Sequence, residues 1–400
     1  VWWIFGAVLA AVIAASAVGL VPAAGGGPAT CTAAQKAARL KALKAFKAGM
    51  AARRKVFFRK HKHKAARQRF VRAQRARLRR LEAAARCVVL PPAAQVVATV
   101  PLAGANRFTV AAGSLWVSSY AGSGSVARID PSTNQVLTRI AVGAGGDIGF
   151  GFGSIWEVDG TDSTISRIDP ATNHVAATFP TRGSGANGLA FSSSNVWVAN
   201  HNEPATTNGA NAAKIDPATN QVVATIPIGD SNGGPAWLIG AAGSIWTFDQ
   251  TQRRIVRIDP TTDTTTYISS PDGMSANRHF TTDGTRTWFS VPADPGRNQP
   301  AEVQAIDPAT NTISTVLGSA TLAGYGLSDV YGLLYDSGSL WLSGPCGAQA
   351  CILRLAANGD AITGAWSFPG SGSQDSLELA ITAGSLWVSE HQGVLRLNPG

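Results

Sequence analysis

One strand recurs seven times along this chain: GSLWVSS, GSIWEVD, SNVWVAN, GSIWTFD, TRTWFSV, GSLWLSG and GSLWVSE, with tryptophans at Trp116, Trp156, Trp197, Trp246, Trp288, Trp341 and Trp387. Self-similarity at a period of about 40–50 residues is the signature of propeller blades. A second strand follows each: VARIDP, ISRIDP, AAKIDP, IVRIDP, VQAIDP, ILRLAA and VLRLNP. Five of these run into a DP-x-T-[ND] turn. There Pro presets φ, and the closing Asn or Asp tolerates a left-handed backbone. Outer strands such as QVLTRIAVG come next, and inner strands such as RFTVAAG precede each Trp strand. Each unit reads as a four-stranded antiparallel blade in the order inner, Trp, RID, outer.

The seventh unit runs only as far as its RID-type strand, Val394–Asn398. Its outer strand stands at the other end of the domain, where Gln95–Leu102 reads QVVATVPL against QVVATIPI at Gln221–Ile228. The expected fold is all-β: residues 95–400 form a seven-bladed β-propeller whose N-terminal strand closes the last blade. Closure of this kind protects the edges an open array would expose. A chain with 43 Gly, 11 Trp and only 14% charged residues suits such a turn-rich β domain, and argues against a helical enzyme or a disordered chain.

The net charge of +10 belongs to one short stretch. Between Lys36 and Arg86 stand 20 Lys and Arg against a single acid, Glu82, which leaves 14 basic and 23 acidic residues elsewhere. Residues 31–87 are rich in Ala, Lys, Arg and Leu and predict a basic helical stalk. Either it attaches to anionic lipid or a cell-wall polymer, or it is a solvated spacer; nucleic acid is disfavoured, because no base-reading motif accompanies the charge. Residues 1–22 carry no charge and are long enough to span a bilayer, with Trp2 and Trp3 at the interface. A signal segment cleaved after Ala15-Ser16-Ala17 is the rival. Pro91 to Ala94 form a linker that breaks the helix. The absence of an initiator Met also suits a sensor domain cut from a longer signalling protein.

Four cysteines form two sets, Cys346 with Cys351 across one short loop and Cys31 with Cys87 across the basic segment. Two disulfides would require an oxidising, extracytoplasmic compartment. The positive-inside tendency of the basic flank points the other way. The expected location remains outside the cytoplasm, anchored or secreted.

The "G-x-[LIV]-W" strands followed by "[RK]-I-D-P" strands resemble the YVTN-type and streptogramin-lyase-like (virginiamycin B lyase) propellers over about residues 95–400. The lyase resemblance implies a Mg²⁺-dependent elimination that opens a cyclic depsipeptide ester, using His and Glu near the channel mouth. In that family the inner strand tends to open with Pro-His-Gly and the Trp strand to end in Phe-Thr-Glu. Here the inner starts are Asn106-Arg107-Phe108, Asn187-Gly188-Leu189 and Asn277-Arg278-His279, and only GSLWVSEH carries the acid, at Glu390. The resemblance therefore puts catalysis, if any, on Glu390, His391 and His279, with Glu390 and His391 at the metal.

Loop lengths choose the binding face. Links from inner to Trp strand and from RID to outer strand are tight, so the long loops share the opposite face, where binding usually resides. That face would present Tyr120, Asp147, Asp159, His201, Glu203, Trp237, Asp249, Arg278, His279, Tyr331, Glu378, Glu390 and His391. Of these, Tyr120, Asp147, His201, Trp237, Arg278, Tyr331 and Glu378 are the expected ligand contacts. His201, His279 and His391 come from blades three, five and seven; one reading converges them near the axis, where with Glu390 or Glu203 they would hold a divalent metal or supply a general base, and the simpler reading leaves them as scattered loop residues. The repeated tryptophans read as packing, and Arg128, Arg167, Lys214 and Arg257 as partners of carboxylates between blades. A monomeric binding module is the expected function, with a carbon–oxygen lyase as the alternative.

Overall fold

The repeat unit folds as a four-stranded antiparallel meander, seven times over. A computed structural model describes residues 31, 33–60, 62–85, 91–201, 210–229, 234–250, 252–269, 279–294, 296, 298–356, 361–370 and 377–398. The expected segment 1–22, Cys87, Glu203 and Arg278 lie outside them. In blade one the strands are Ala105–Ala111, Ser114–Ser119, Ser125–Asp130 and Gln135–Ala141, in the order inner, Trp, RID, outer. Inner and Trp strands are joined by two-residue turns such as Ala112-Gly113, both at positive φ. Such turns match the twist of the flanking strands.

The last blade closes as expected. Its sheet runs Gln95–Pro101, Gly393–Asn398, Ser385–Glu390, Leu379–Thr382. The N-terminal strand pairs antiparallel with the C-terminal one, from Gln95 opposite Asn398 to Pro101 opposite Gly393. The preceding residues do more than link. Ala94 donates its N–H to Ser367 O at 2.7 Å, and Ser367 donates to Pro92 O at 2.8 Å and, through Oγ, to Pro91 O at 2.9 Å. Pro91–Ala94 is therefore stitched to the outer strand of blade six before the chain enters blade seven.

Each repeated tryptophan is packed between blades, at 0–1% exposure except for Trp341 at 6%. On six of them lies the cation of the same blade's RID-type strand, and five of these cations also latch the next blade. Arg128 sits over Trp116 and donates to Pro170 O and Asn173 Oδ1 of blade two, both at 2.8 Å. Arg167 repeats this on Pro217 and Asn220, and Arg257 on Pro308 and Asn311. Arg396 of blade seven reaches Pro131 and Asn134 of blade one and so fastens the ring. The expected carboxylate partners are corrected: among the described residues only Lys214, on Asp263, has one. The DP-x-T-N turn offers instead a proline carbonyl, which carries no N–H of its own, and an Asn side chain. That Asn or Asp stands at positive φ in all five turns, from 54° at Asn311 to 61° at Asn134.

Blade seven has no DP-x-T-N turn, and among the described residues Arg354 of blade six holds only Ser339 and the Trp341 face. Replacing Arg396 by Ala should therefore cost about 2–3 kcal/mol, for two cross-blade hydrogen bonds and a cation–π contact. Arg354→Ala should cost less. Thermal unfolding of the two variants measures the difference, and equal losses would refute the latch.

Cys346 and Cys351 form a disulfide across the hairpin turn of blade six, with 5.8 Å between their Cα atoms. This indicates an oxidising, extracytoplasmic environment. Cys31 is also disulfide-bonded. No helix among the described residues is long and apolar enough to cross a membrane.

The propeller, Pro91–Ala323 with Leu327–Gly400, is one compact unit, and the basic segment belongs to another. That segment is a hairpin of two helices, α1 (Ala33–Lys60) and α2 (Lys64–Ala85). The break falls between Lys60 and Lys64, in a stretch of the sequence where every residue is basic and like charges disfavour a continuous helix. Folding back stacks Phe57 on Phe70, with centroids 4.1 Å apart, and pairs Lys47 with Glu82 at 2.8 Å.

Candidate functional site

The inner strand of each blade enters the ring at one fixed place, nine residues before its tryptophan. The residues there are Arg107, Asp147, Gly188, Trp237, His279, Gly332 and Glu378. In blades one to four this residue lies in a bulge, where the register slips between Ala105 and Phe108, Gly145 and Ile148, Ala186 and Leu189, and Pro235 and Leu238. A bulge re-aims side chains. Here it turns them into the central channel, because their contacts cross from blade to non-adjacent blade.

Arg107 of blade one is the hub. Its Nη1 donates to Glu378 Oε2 of blade seven at 2.6 Å and to His279 Nδ1 of blade five at 2.9 Å. Arg107 donates only, so Nδ1 accepts and the ring proton of His279 sits on Nε2. The guanidinium carbon lies 4.0 Å from the ring centroid of Trp237, in blade four. Trp237 in turn stacks on His279, with centroids 5.8 Å apart. Serines behind the ring fix it: the Arg107 N–H donates to Ser118 Oγ at 3.2 Å and the Glu378 N–H to Ser389 Oγ at 2.9 Å.

Two carboxylates compete for this one cation. Burial pushes Glu378 up to about 7, with Arg107 pulling it down and the nearby Asp147 charge adding to the rise. Asp147 is also raised by burial, against Arg107 and the N–H groups of Leu189 and Ile148, each 3.0 Å away. The site is thus a polar plug in the channel. It offers an indole face, a guanidinium and a carboxyl group that changes protonation near neutral pH.

Asp147, Trp237, His279 and Glu378, all expected on sequence grounds, are brought together here. The residue that binds them, Arg107, was missed. Its signal was the constant nine-residue offset, which aligns it with the four that were named. The other expected residues lie elsewhere. Tyr120 Oη meets His391 Nδ1 at 2.7 Å on the seam between the last and first blades, where His391 O also accepts from Gly104 N–H at 2.9 Å. Glu390, beside it, is half-buried and raised by that burial. His201 donates its backbone N–H to Gly185 O. Tyr331 is buried in the hydrophobic cluster with Trp341 and Leu377. Asp249 is fully buried and accepts from Arg254 at 3.0 Å, and Asp159 accepts from the Thr161 N–H at 2.8 Å.

Among the described residues, no three His, Cys, Asp or Glu side chains gather to hold a metal ion. His279 belongs to the Arg107 network, and His391 to Tyr120.

No protein-family model matches the chain, and no curated protein aligns with it. Solved structures do. The chain is similar to a chain of Kuenenia stuttgartiensis hydrazine synthase at 15% identity and TM-score 0.59, over 76% of this chain and 98% of that one. A likeness at that identity establishes the fold alone. Solved chains similar to this one number 1416, and a fold so widely shared does not by itself assign a function.

Proposed function

We propose that this propeller is a non-catalytic, extracytoplasmic binding module that holds a small polar ligand at the Arg107 plug. One observation carries the reading: five different blades each supply a side chain to a single network at the same depth of the channel. A structural role alone would not need five residue types at one repeated position where other blades place glycine. The available groups suit a ligand with donors and acceptors side by side and one flat or apolar portion for Trp237, as peptides and sugars have. Residues 1–22, as an anchor, would tether the module to a membrane.

The lyase alternative rests on Glu390 and His391. In its favour, the Tyr120 hydroxyl would hold the His391 ring in one orientation. Against it, the same contact serves as a fastener at the ring seam, and His279 is engaged elsewhere.

Thermal-shift screening of peptide and sugar libraries, with a cyclic depsipeptide included, tests both readings. Ligands that stabilise the wild type should lose at least tenfold in affinity in Trp237→Ala and Glu378→Gln, and not in Glu390→Ala. Binding indifferent to the axial variants would refute the placement. Depsipeptide cleavage abolished by Glu390→Ala would establish the lyase instead.

A further inference from the structure

We propose that the turn end of the α1–α2 hairpin is a binding site for a linear phosphate polymer, a chain of phosphodiesters or polyphosphate. A cleft of about 680 Å³ opens there, lined by Arg54, Lys62, Lys64, Arg67, Arg72 and Arg75 around Phe58. On α2 the lining residues recur every three or four positions, so they share one face of the helix. Six cations converge on one concavity, and the single carboxylate of this segment, Glu82, is paired with Lys47. Such a cluster is self-repelling until an anion enters, and phosphate oxygens match guanidinium groups in bidentate geometry.

The cleft is also built. Arg67 donates to Phe58 O at 2.8 Å, satisfying a carbonyl at the end of α1. The guanidinium groups of Arg54 and Arg67 lie 5.2 and 5.0 Å from the Phe58 centroid. Both cations are thereby held at the cleft wall rather than left to sweep through solvent.

Shape and apolar placement favour a polymer over a lipid surface. A helix that lies in a bilayer needs an exposed apolar face. Here Phe57 stacks on Phe70, Phe46 is buried and Phe58 carries its two arginines, while the exposed Leu40 and Val56 stand about four to five turns apart on different sides of α1 and make no continuous apolar face. A flat bilayer touches only the rim of a concave site, whereas a single extended chain can lie inside it.

The test is fluorescence anisotropy of labelled inorganic polyphosphate with the full chain, between 50 and 200 mM salt. Six phosphate contacts give a log–log slope of about −4, or about 300-fold weaker binding across that range. In a Lys64→Gln, Arg72→Gln, Arg75→Gln variant the slope should fall to about −2. A Lys36→Gln, Lys41→Gln, Lys44→Gln variant, with the same charge change outside the cleft, should keep the wild-type slope. Equal losses in both variants, with unchanged helical circular dichroism, would mean diffuse charge and overturn the site. Competition by poly(glycerol phosphate) or by an oligo-dT strand supports it and identifies which phosphodiester source fits better; competition by neither overturns it. Phosphatidylglycerol vesicles that displace polyphosphate better than both polymers would overturn it in favour of a membrane partner.

Discussion

Deleting Gln95–Leu102 should leave a chain with no cooperative thermal transition, while the same residues supplied as a peptide restore one. The removed strand pairs with Gly393–Asn398 along its length and buries Val100 and Leu102 in the cluster with Trp387 and Leu115. Two such side chains are worth roughly 1.5–3 kcal/mol each, and the ladder hydrogen bonds about 1 kcal/mol apiece. The total, about 8 kcal/mol, is comparable to the whole stability of an ordinary domain. The deletion also strips the cover from the edge of blade seven, inviting aggregation. A melting temperature unchanged by the deletion would show that the ring does not depend on this closure.

This closure was legible because two separate signals agreed: seven Trp strands, and one outer strand displaced to the front of the domain. The stitching of Pro91–Ala94 to Ser367 was not, because its contacts are backbone carbonyls and an N–H that no side chain announces. The RID cations were read as interblade groups and are, but charge logic pointed to carboxylates. In four of the five turns the latching groups are instead a proline carbonyl and an Asn amide, both neutral, so charge counting does not find them. The break between α1 and α2 had no Gly or Pro to mark it.

At the site, four residues were legible from the loop face they occupy and one was not. Arg107 fell among inner-strand openings that were compared with a family pattern, Pro-His-Gly, and judged by their mismatch. Aligned by distance from the tryptophan, the same openings give a ring. Glu390 and His391 drew attention by resemblance; their geometry is that of a seam, shared with Tyr120. Position relative to the repeat proved more informative than residue type.

Glu157 is where the repeat is broken most expensively, and replacing it should stabilise the protein. It stands immediately after Trp156, where the other blades carry Val117, Val198, Thr247, Phe289, Leu342 and Val388. It is fully buried, and among the described residues neither carboxyl oxygen makes a well-formed hydrogen bond. Burial first, then the Asp159 charge, push it up to about 8, with the backbone of Gly146 opposing. An acid raised in the folded state binds more protons there than when unfolded, so its destabilising effect is absent below about pH 4.5 and grows until the pH passes about 8. At pH 7 this amounts to about 3 kcal/mol. Glu157→Val, which restores the residue of three other blades, should raise the melting temperature by about 5 °C at pH 7 and by progressively less towards pH 4.5. The comparison cancels groups common to both proteins, such as Glu378. A variant less stable than the wild type, or a difference independent of pH, would refute the assignment. The retained acid lies under the bulge that carries Asp147 into the channel, opposite Ile148 in the ladder. Natural sequences keep local violations of this size mainly where function needs them. Glu157→Val should therefore also weaken any ligand bound at the Arg107 plug, although it touches none of the groups there.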